Sequence, residues 1–133
     1  MANTPVLLYL EPDTQIGTNL WAAEKIIRLL SGVGEITDER LLALYGNKLQ
    51  MFCDANFRAY IPKMIKMEFG KTYGIHLDHF RVVGFFDQSY RDFIALDYFT
   101  KKTQRNDSRM NATYRRVDGI REAKEWTRQR LGN

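Results

Sequence analysis

Residues 79–100, HFRVVGFFDQSYRDFIALDYFT, decide the fold class that we predict for this chain. The first part, residues 79–87, is rich in β-branched and aromatic side chains, which favour a strand, and Gly84 within it is typical of a β-bulge. A Gln-Ser turn follows, and residues 90–100 place alternating side chains on two faces, as a second strand does. We therefore predict an antiparallel hairpin.

Two further elements are predicted after the hairpin. Residues 112–117 (ATYRRV) form a short third strand candidate. Asp118 is a suitable N-cap for a helix over residues 119–131, in which apolar side chains recur at helical spacing. Residues 101–111 join the second and third strands, and their polar, basic composition predicts a flexible loop.

The segment before the hairpin predicts one strand and several helices. Residues 6–10 (VLLYL) are a short apolar run between prolines, which favours a buried strand. Capping residues, apolar spacing and closing glycines then indicate helices. These cover residues 18–30, 37–45, 47–60 and 62–69.

The predicted fold class is therefore α+β in a single domain, residues 1–133. An N-terminal helical part is followed by a small antiparallel sheet (a hairpin or three strands) and a closing C-terminal helix. The chain is 44% hydrophobic and 13% aromatic, a globular composition that can fill a sizeable core.

Cellular location follows from cysteine usage and hydropathy. Cys53 is the only cysteine, so no intrachain disulfide can form and a cytoplasmic location is expected. Residues 1–13 lack the basic start of a signal peptide. No run approaches the roughly 18 apolar residues of a membrane-spanning helix, so we expect no membrane partner.

The positive charge of the chain lies in its last quarter. Residues 101–133 contain ten Lys or Arg against four Asp or Glu, whereas residues 1–100 contain ten against twelve. The densest stretch, residues 101–117, has six basic side chains and one acid. A concentrated positive field attracts polyanions over about 8 Å at physiological salt. The asymmetry therefore predicts binding of nucleic acid, DNA or RNA, through its phosphates and with weak or no sequence specificity.

The predicted binding residues are the cations of the basic loop and of the final helix, with one tyrosine that would stack on unpaired bases. Those of the helix recur at three- and four-residue spacing along one flank. The same residues would also suit a solvated loop and an ordinary charged helix face. The full set is Lys101, Lys102, Arg105, Arg109, Tyr114, Arg115, Arg116, Arg121, Lys124 and Arg128.

A protein–protein interaction module is the alternative prediction. Residues 51–69 and 80–99 are rich in Met and aromatic side chains, and a flexible basic loop could become ordered against an acidic protein partner. Such a small accessory or inhibitory protein would present a contiguous apolar patch, whereas a nucleic-acid-binding protein would present a continuous basic stripe.

No motif in the sequence predicts catalysis, a cofactor or a metal. The only histidine cluster, His76, Asp78 and His79, matches no structural zinc spacing, although the sequence leaves metal binding there open. Gly-Lys-Thr at 70–72 lacks the earlier glycine of a phosphate-binding loop, and Glu-Ala-Lys at 122–124 lies in a predicted helix rather than on a strand. We therefore predict a binding module rather than an enzyme, with activity assembled from distant residues left open.

Overall fold

The computed structural model of the protein describes residues 3–87, 89–101 and 108–129. One mixed sheet of seven strands forms its centre, with helices packed on both faces. In chain order the elements are β1 (Thr4–Leu10), β2 (Asn19–Ala23), α1 (Glu24–Leu30), α2 (Glu39–Asp54), β3 (Ile65–Phe69), β4 (Thr72–Leu77), β5 (Phe80–Asp87), β6 (Asp92–Thr100), α3 (Ser108–Ala123) and β7 (Trp126–Gln129).

The sheet order is β3-β4-β5-β6-β2-β1-β7. Strands β3 to β6 follow one another in antiparallel pairs, so this half is a meander. Strand β2 pairs parallel with β6 and antiparallel with β1, and β7 pairs parallel with β1. The N-terminal strands thus lie between the meander and the last strand, and β3 and β7 are the two edges.

The two faces of the sheet carry separate cores. Helices α1 and α2 bury side chains such as Ile26 and Phe52 against one face, together with Phe93 of β6. Helix α3 covers the other face, where Tyr114 packs in a second cluster with Ile94 of β6. Alternation along β6 explains this, since successive side chains of a strand point to opposite faces. Among the described residues, no helix is long and apolar enough to cross a membrane.

The predicted hairpin is confirmed. Residues 79–87 and 90–100 correspond to β5 and β6, which pair antiparallel. The register shifts between Val83 and Gly84 because Leu96 of β6 has no partner in β5, so the bulge lies on β6 opposite the glycine rather than at Gly84 itself. The strand predicted over residues 6–10 lies within β1.

The predicted α+β arrangement, with an N-terminal helical part and a small sheet, is wrong. Residues 19–23, predicted as the start of a helix, form β2, because they pair with strands on both sides: Trp21 lies opposite Leu8 of β1 and Ile94 of β6. Tertiary pairing of this kind overrides helical spacing. The sheet has seven strands instead of two or three.

Helix α2 replaces two predicted helices. Asp38 is its N-cap, and the side-chain carboxylate accepts hydrogen bonds from the backbone N–H groups of Arg40 and Leu41. Gly46 lies inside the helix rather than at its end. An interior glycine costs about 1 kcal/mol relative to alanine, which the burial of side chains such as Leu49 outweighs.

The predicted helix over residues 62–69 is also wrong, since this segment contains β3 and turns directly into β4. Gly70 makes the turn at a φ of +55°, a left-handed conformation that favours glycine. A Cβ on Gly70 would lie 2.6 Å from the carboxylate of Asp118, so the turn packs tightly against α3. The glycine that suggested the end of a helix is the turn of a hairpin.

The C-terminal elements are exchanged relative to the prediction. Residues 112–117, predicted as a strand, lie in α3, because Met110, Tyr114 and Val117 recur at helical spacing and all face the sheet. The helix predicted over residues 119–131 ends at Ala123, and β7 follows. Of the predicted flexible loop, residues 108–111 belong to α3, and residues 102–107 lie outside the described part of the chain.

Candidate nucleic-acid interface

Tyr114, predicted to stack on bases, is enclosed in the core beneath α3. Its exposure is 3%, and its ring packs edge to face against Phe99 at 5.7 Å. The hydroxyl lies so close to Gly74 of β4 that a Cβ there would come within 2.2 Å. Burial raises the pKa of the phenol. The ring is therefore part of the α3–sheet contact and is not accessible to a base.

Arg116 is neutralised by a buried carboxylate. Asp97 of β6 is 5% exposed and is contacted by Arg116 of α3 and by Lys25 of α1, the latter at 2.6 Å. Burial alone would raise the pKa of Asp97, but the hydrogen bonds from Lys25, Arg116 and the Tyr98 backbone N–H outweigh it and lower the pKa. The charge of Arg116 is thus used inside the fold.

Two more predicted cations form ion pairs. Arg121 donates from Nε to Asp118 at 2.9 Å within α3. Arg128 of β7 donates from Nη2 to Asp87 at 2.6 Å and to Asp92 at 3.2 Å, which ties the edge strand to β5 and β6. We call Arg116, Arg121 and Arg128 the paired arginines. Arg116 holds α3 to β6, and Arg128 holds β7 to β5 and β6.

The other predicted residues differ in placement. Arg115 is exposed on α3 and lies over the ring of Phe69, with 5.4 Å between guanidinium carbon and ring centroid. Lys124 is exposed just after α3, and Lys101 is half-buried just after β6. Arg109 belongs to α3. Lys102 and Arg105 lie outside the described residues.

A basic cluster that the sequence analysis missed lies on the sheet face that α3 partly covers. His76 of β4 faces Arg81 of β5 in the ladder, and Ile75 and Leu77 on either side of it belong to the opposite core. Alternation therefore places His76 on the α3 face. Lys66 of β3 and Lys101 after β6 complete the set, and we call Lys66, His76, Arg81 and Lys101 the basic cluster.

The electrostatics of His76 show that these groups converge. Burial lowers its pKa most, and the positive charges of Arg81, Lys66 and Lys101 lower it further, to about 4. The imidazole is therefore neutral at neutral pH and offers one donor and one acceptor nitrogen. Three cations around a neutral histidine form a positive surface, which Glu68 of β3 offsets in part at Arg81.

Arg81 is the best ordered cation of the cluster. Its Nη1 donates to the carbonyl oxygens of Asp78 at 2.6 Å and Phe80 at 3.0 Å, both in the β4–β5 turn. Burial lowers its pKa, while Tyr114 and Glu68 act in the opposite direction. In the part of the chain that the structure describes, none of the ion pairs involves Lys66, Arg81 or Lys101.

The cluster was missed because its strands were missed. With residues 62–69 taken as a helix and residues 72–77 unassigned, nothing placed Lys66 beside His76. Alternation in residues 73–77 was the available signal, since Tyr73, Ile75 and Leu77 are aromatic or apolar and alternate with Gly74 and His76. Lys101 alone was among the predicted residues.

Exposed apolar side chains bear on the alternative of a protein partner. Met67 (58% exposed) and Phe69 (40%) lie on the edge strand β3. Leu41, Leu44 and Met51 are exposed on α2, which packs on the other face of the sheet. The apolar surface is thus divided between two sides of the molecule.

Comparisons with known proteins give no family assignment: the chain matches no protein-family model and no curated protein sequence. Within residues 3–87, 89–101 and 108–129, no group of three or more His, Cys, Asp and Glu side chains could hold a metal ion. Function is therefore argued from the site alone.

Proposed function

We propose that the protein binds nucleic acid through the basic cluster, with phosphates as the groups it contacts. The observation that carries this proposal is the convergence of Lys66, Arg81 and Lys101 on the neutral His76, without an ion-pair partner for any of the three among the described residues. Positive charges held close together and outside any described ion pair favour a polyanion, because each phosphate neutralised releases condensed counterions.

The parts of the cluster have different roles. Arg81 is held by two backbone carbonyls through Nη1, which leaves its other N–H groups to form a fixed phosphate contact. The two lysines act as adaptable point charges. Lys102 and Arg105, one and four residues after Lys101 in the sequence, lie outside the described residues. Contacts of this kind carry little sequence information, so specificity is weak.

Fluorescence anisotropy with labelled single- and double-stranded DNA and RNA, titrated across salt, tests the proposal. We expect log affinity to fall linearly with log salt, with a slope of about −0.9 per phosphate contacted on duplex DNA and about −0.7 on single strands. Three contacts would give a slope near −2 to −3. The preferred strand type identifies the class of nucleic acid.

A control variant on the other face of the sheet shows whether the salt dependence comes from the basic cluster or from the positive charge of the protein in general. Arg28 of α1 and Arg40 of α2 are exposed on helices that pack on the other face. The Arg28→Gln/Arg40→Gln variant is expected to retain the wild-type salt slope. Absence of binding to all four probes at low salt would contradict the proposal.

Binding of an acidic, extended protein segment is the second candidate. The edge strand β3 favours it, because an edge can add a further strand and here presents Met67 and Phe69 beside Lys66. Substitution of Met67 by proline would block strand addition, because proline has no backbone N–H to donate. Loss of capture of an acidic peptide library by Met67→Pro, with nucleic-acid binding unchanged, would support this candidate.

A further inference from the structure

A cavity lies at the opposite end of α3 from the basic cluster. It has a volume of about 690 Å³ and opens between the C-terminal end of α3, β7 and the far end of β5. Its walls carry the aromatic rings of Phe85 and Trp126 and the cations Lys71 and Lys124. We call this cavity the aromatic pocket. Cavities that hold small ligands have volumes in this range.

The aromatic wall of the pocket is held rigidly. Trp126 packs edge to face on Phe85, with ring centroids 5.7 Å apart. Arg128 lies over the Trp126 ring at 4.9 Å and over the Trp21 ring at 5.1 Å. Its ion pair with Asp87 at 2.6 Å fixes it there and neutralises the one carboxylate of the lining. A flat, half-exposed ring of this kind is a stacking surface.

The two lysines of the pocket differ from Arg128. Lys71 lies in the β3–β4 turn, where its backbone N–H donates to Asp118 at 3.3 Å. Lys124 follows α3 in a left-handed conformation, with a φ of 54°. Neither side chain takes part in an ion pair with any described residue. Both line the cavity and add positive charge to it.

The pocket and the basic cluster share one face of the sheet. Arg81 and Phe85 are four residues apart on β5 and point to the same side, a separation of about 13 Å along the strand. Val83 between them is buried beneath α3, so a single strand that reaches both sites would follow β3 instead. There Phe69 lies between Lys66 of the cluster and Lys71 of the pocket, and the exposed Arg115 of α3 lies over its ring.

We propose that the aromatic pocket binds one nucleotide of the strand whose phosphates contact the basic cluster, with the base stacked on Trp126 and the phosphate held by Lys71 and Lys124. This inference rests on the proposed nucleic-acid binding. Stacking on an aromatic ring tolerates any base, because each base has a π face. The pocket would therefore favour unpaired strands over duplexes without selecting a sequence.

Adenosine 5′-monophosphate is the probe for this pocket, followed by backbone amide chemical shifts of the full-length protein. We expect saturable shifts at Lys71, Phe85 and Thr127, and smaller ones with inorganic phosphate. The Lys71→Gln/Lys124→Gln variant is expected to weaken binding of the mononucleotide by about tenfold. The Arg28→Gln/Arg40→Gln variant removes the same charge on the other face and should not weaken it.

Two results would overturn the pocket, and both can be separated from failure of the proposed function. If the mononucleotide shifts none of these amides while an oligonucleotide still binds with a steep salt slope, the cluster stands and the pocket does not. If inorganic phosphate gives the same shifts as the mononucleotide, the site is an anion site without a base. Retained amide spectra of the variants verify that they are folded.

Discussion

The basic cluster and the paired arginines carry similar charge, yet they differ in what the charge does. Arg116, Arg121 and Arg128 each contact at least one carboxylate. Lys66, Arg81 and Lys101 have no ion pair with any described residue and depress the pKa of a shared histidine. A count of charges along a sequence treats both sets alike. Only pairing decides which set remains available to a polyanion, because a neutralised cation contributes little field.

The largest effect should come from Tyr114, which separates its predicted stacking role from its place in the core. Tyr114→Ala removes a buried ring and is expected to lower the free energy of unfolding by about 3 kcal/mol or more. Tyr114→Leu keeps an apolar side chain in the core but removes the aromatic face, and it should leave nucleic-acid affinity unchanged. Chemical denaturation and anisotropy measure the two quantities, and a large affinity loss in folded Tyr114→Leu would restore the stacking role.

Loss of the ion pairs around Asp97 should lower stability and leave nucleic-acid binding unchanged. Asp97→Ala leaves Arg116 and Lys25 without their carboxylate and is expected to cost about 2 kcal/mol, less than for a fully buried pair because both cations are about half exposed. Because the pKa of Asp97 is lowered in the folded protein, stability should fall toward acid pH. The contribution of Asp97 to stability is present above the unfolded pKa and is lost as pH falls through the lower folded pKa. Urea denaturation at pH 7 and pH 3, with Asp97→Ala as the comparison, checks both statements.

His76 should give a pH dependence of the same sign as Asp97, in a higher pH range. Its folded pKa of about 4 lies below the usual value of 6.5, so the unfolded chain takes up a proton first and stability falls as pH decreases from 6.5 toward 4. The difference between pH 7 and pH 5 attributable to His76 is expected to be about 1 kcal/mol after allowance for its partial exposure. His76→Gln should lose less stability than wild type over this interval; an equal loss would show that the pKa of His76 is not lowered in the folded protein.

Arg115 should give the smallest effect. It is exposed between the two sites, and its guanidinium makes a cation–π contact with the ring of Phe69. Arg115→Gln is expected to flatten the salt slope by about 0.7 to 0.9 units and to change stability by less than about 0.5 kcal/mol. A neighbouring exposed residue on α3, Asn111→Ala, is the control. An unchanged slope in Arg115→Gln would end the proposed path between the cluster and the pocket.

The parts of the fold that the sequence predicted are those with a strong local signal. The β5–β6 hairpin was predicted because the pattern of residues 79–100 specifies it almost without tertiary information. Strand β2 was not, because residues 19–23 also fit the start of an amphipathic helix, and only pairing with β1 and β6 decides between them. Residues 112–117 failed for a similar reason: their short β-branched pattern hid the longer helical spacing of α3.

The site was less predictable than the fold, for an electrostatic reason. The clustering of basic residues after position 101 was visible, but their partners Asp87, Asp92 and Asp97 lie earlier in the chain and approach them only through the sheet. The basic cluster joins residues from β3, β4, β5 and the end of β6, and its convergence requires the strand register. The charge pattern predicted a polyanion as the partner, whereas the face of the sheet that carries the basic cluster follows only from the topology.

The salt dependence of nucleic-acid affinity for two triple variants tests the central claim most directly. Each variant removes three positive charges: Lys66→Gln/Arg81→Gln/Lys101→Gln in the basic cluster, and Arg28→Gln/Arg40→Gln/Arg116→Gln, which removes the paired Arg116 and two exposed arginines of helices on the other face. We predict that the slope of log affinity against log salt flattens by about two units or more in the first variant and is retained in the second. A wild-type slope in the first variant, or an equal loss in both, would contradict the account.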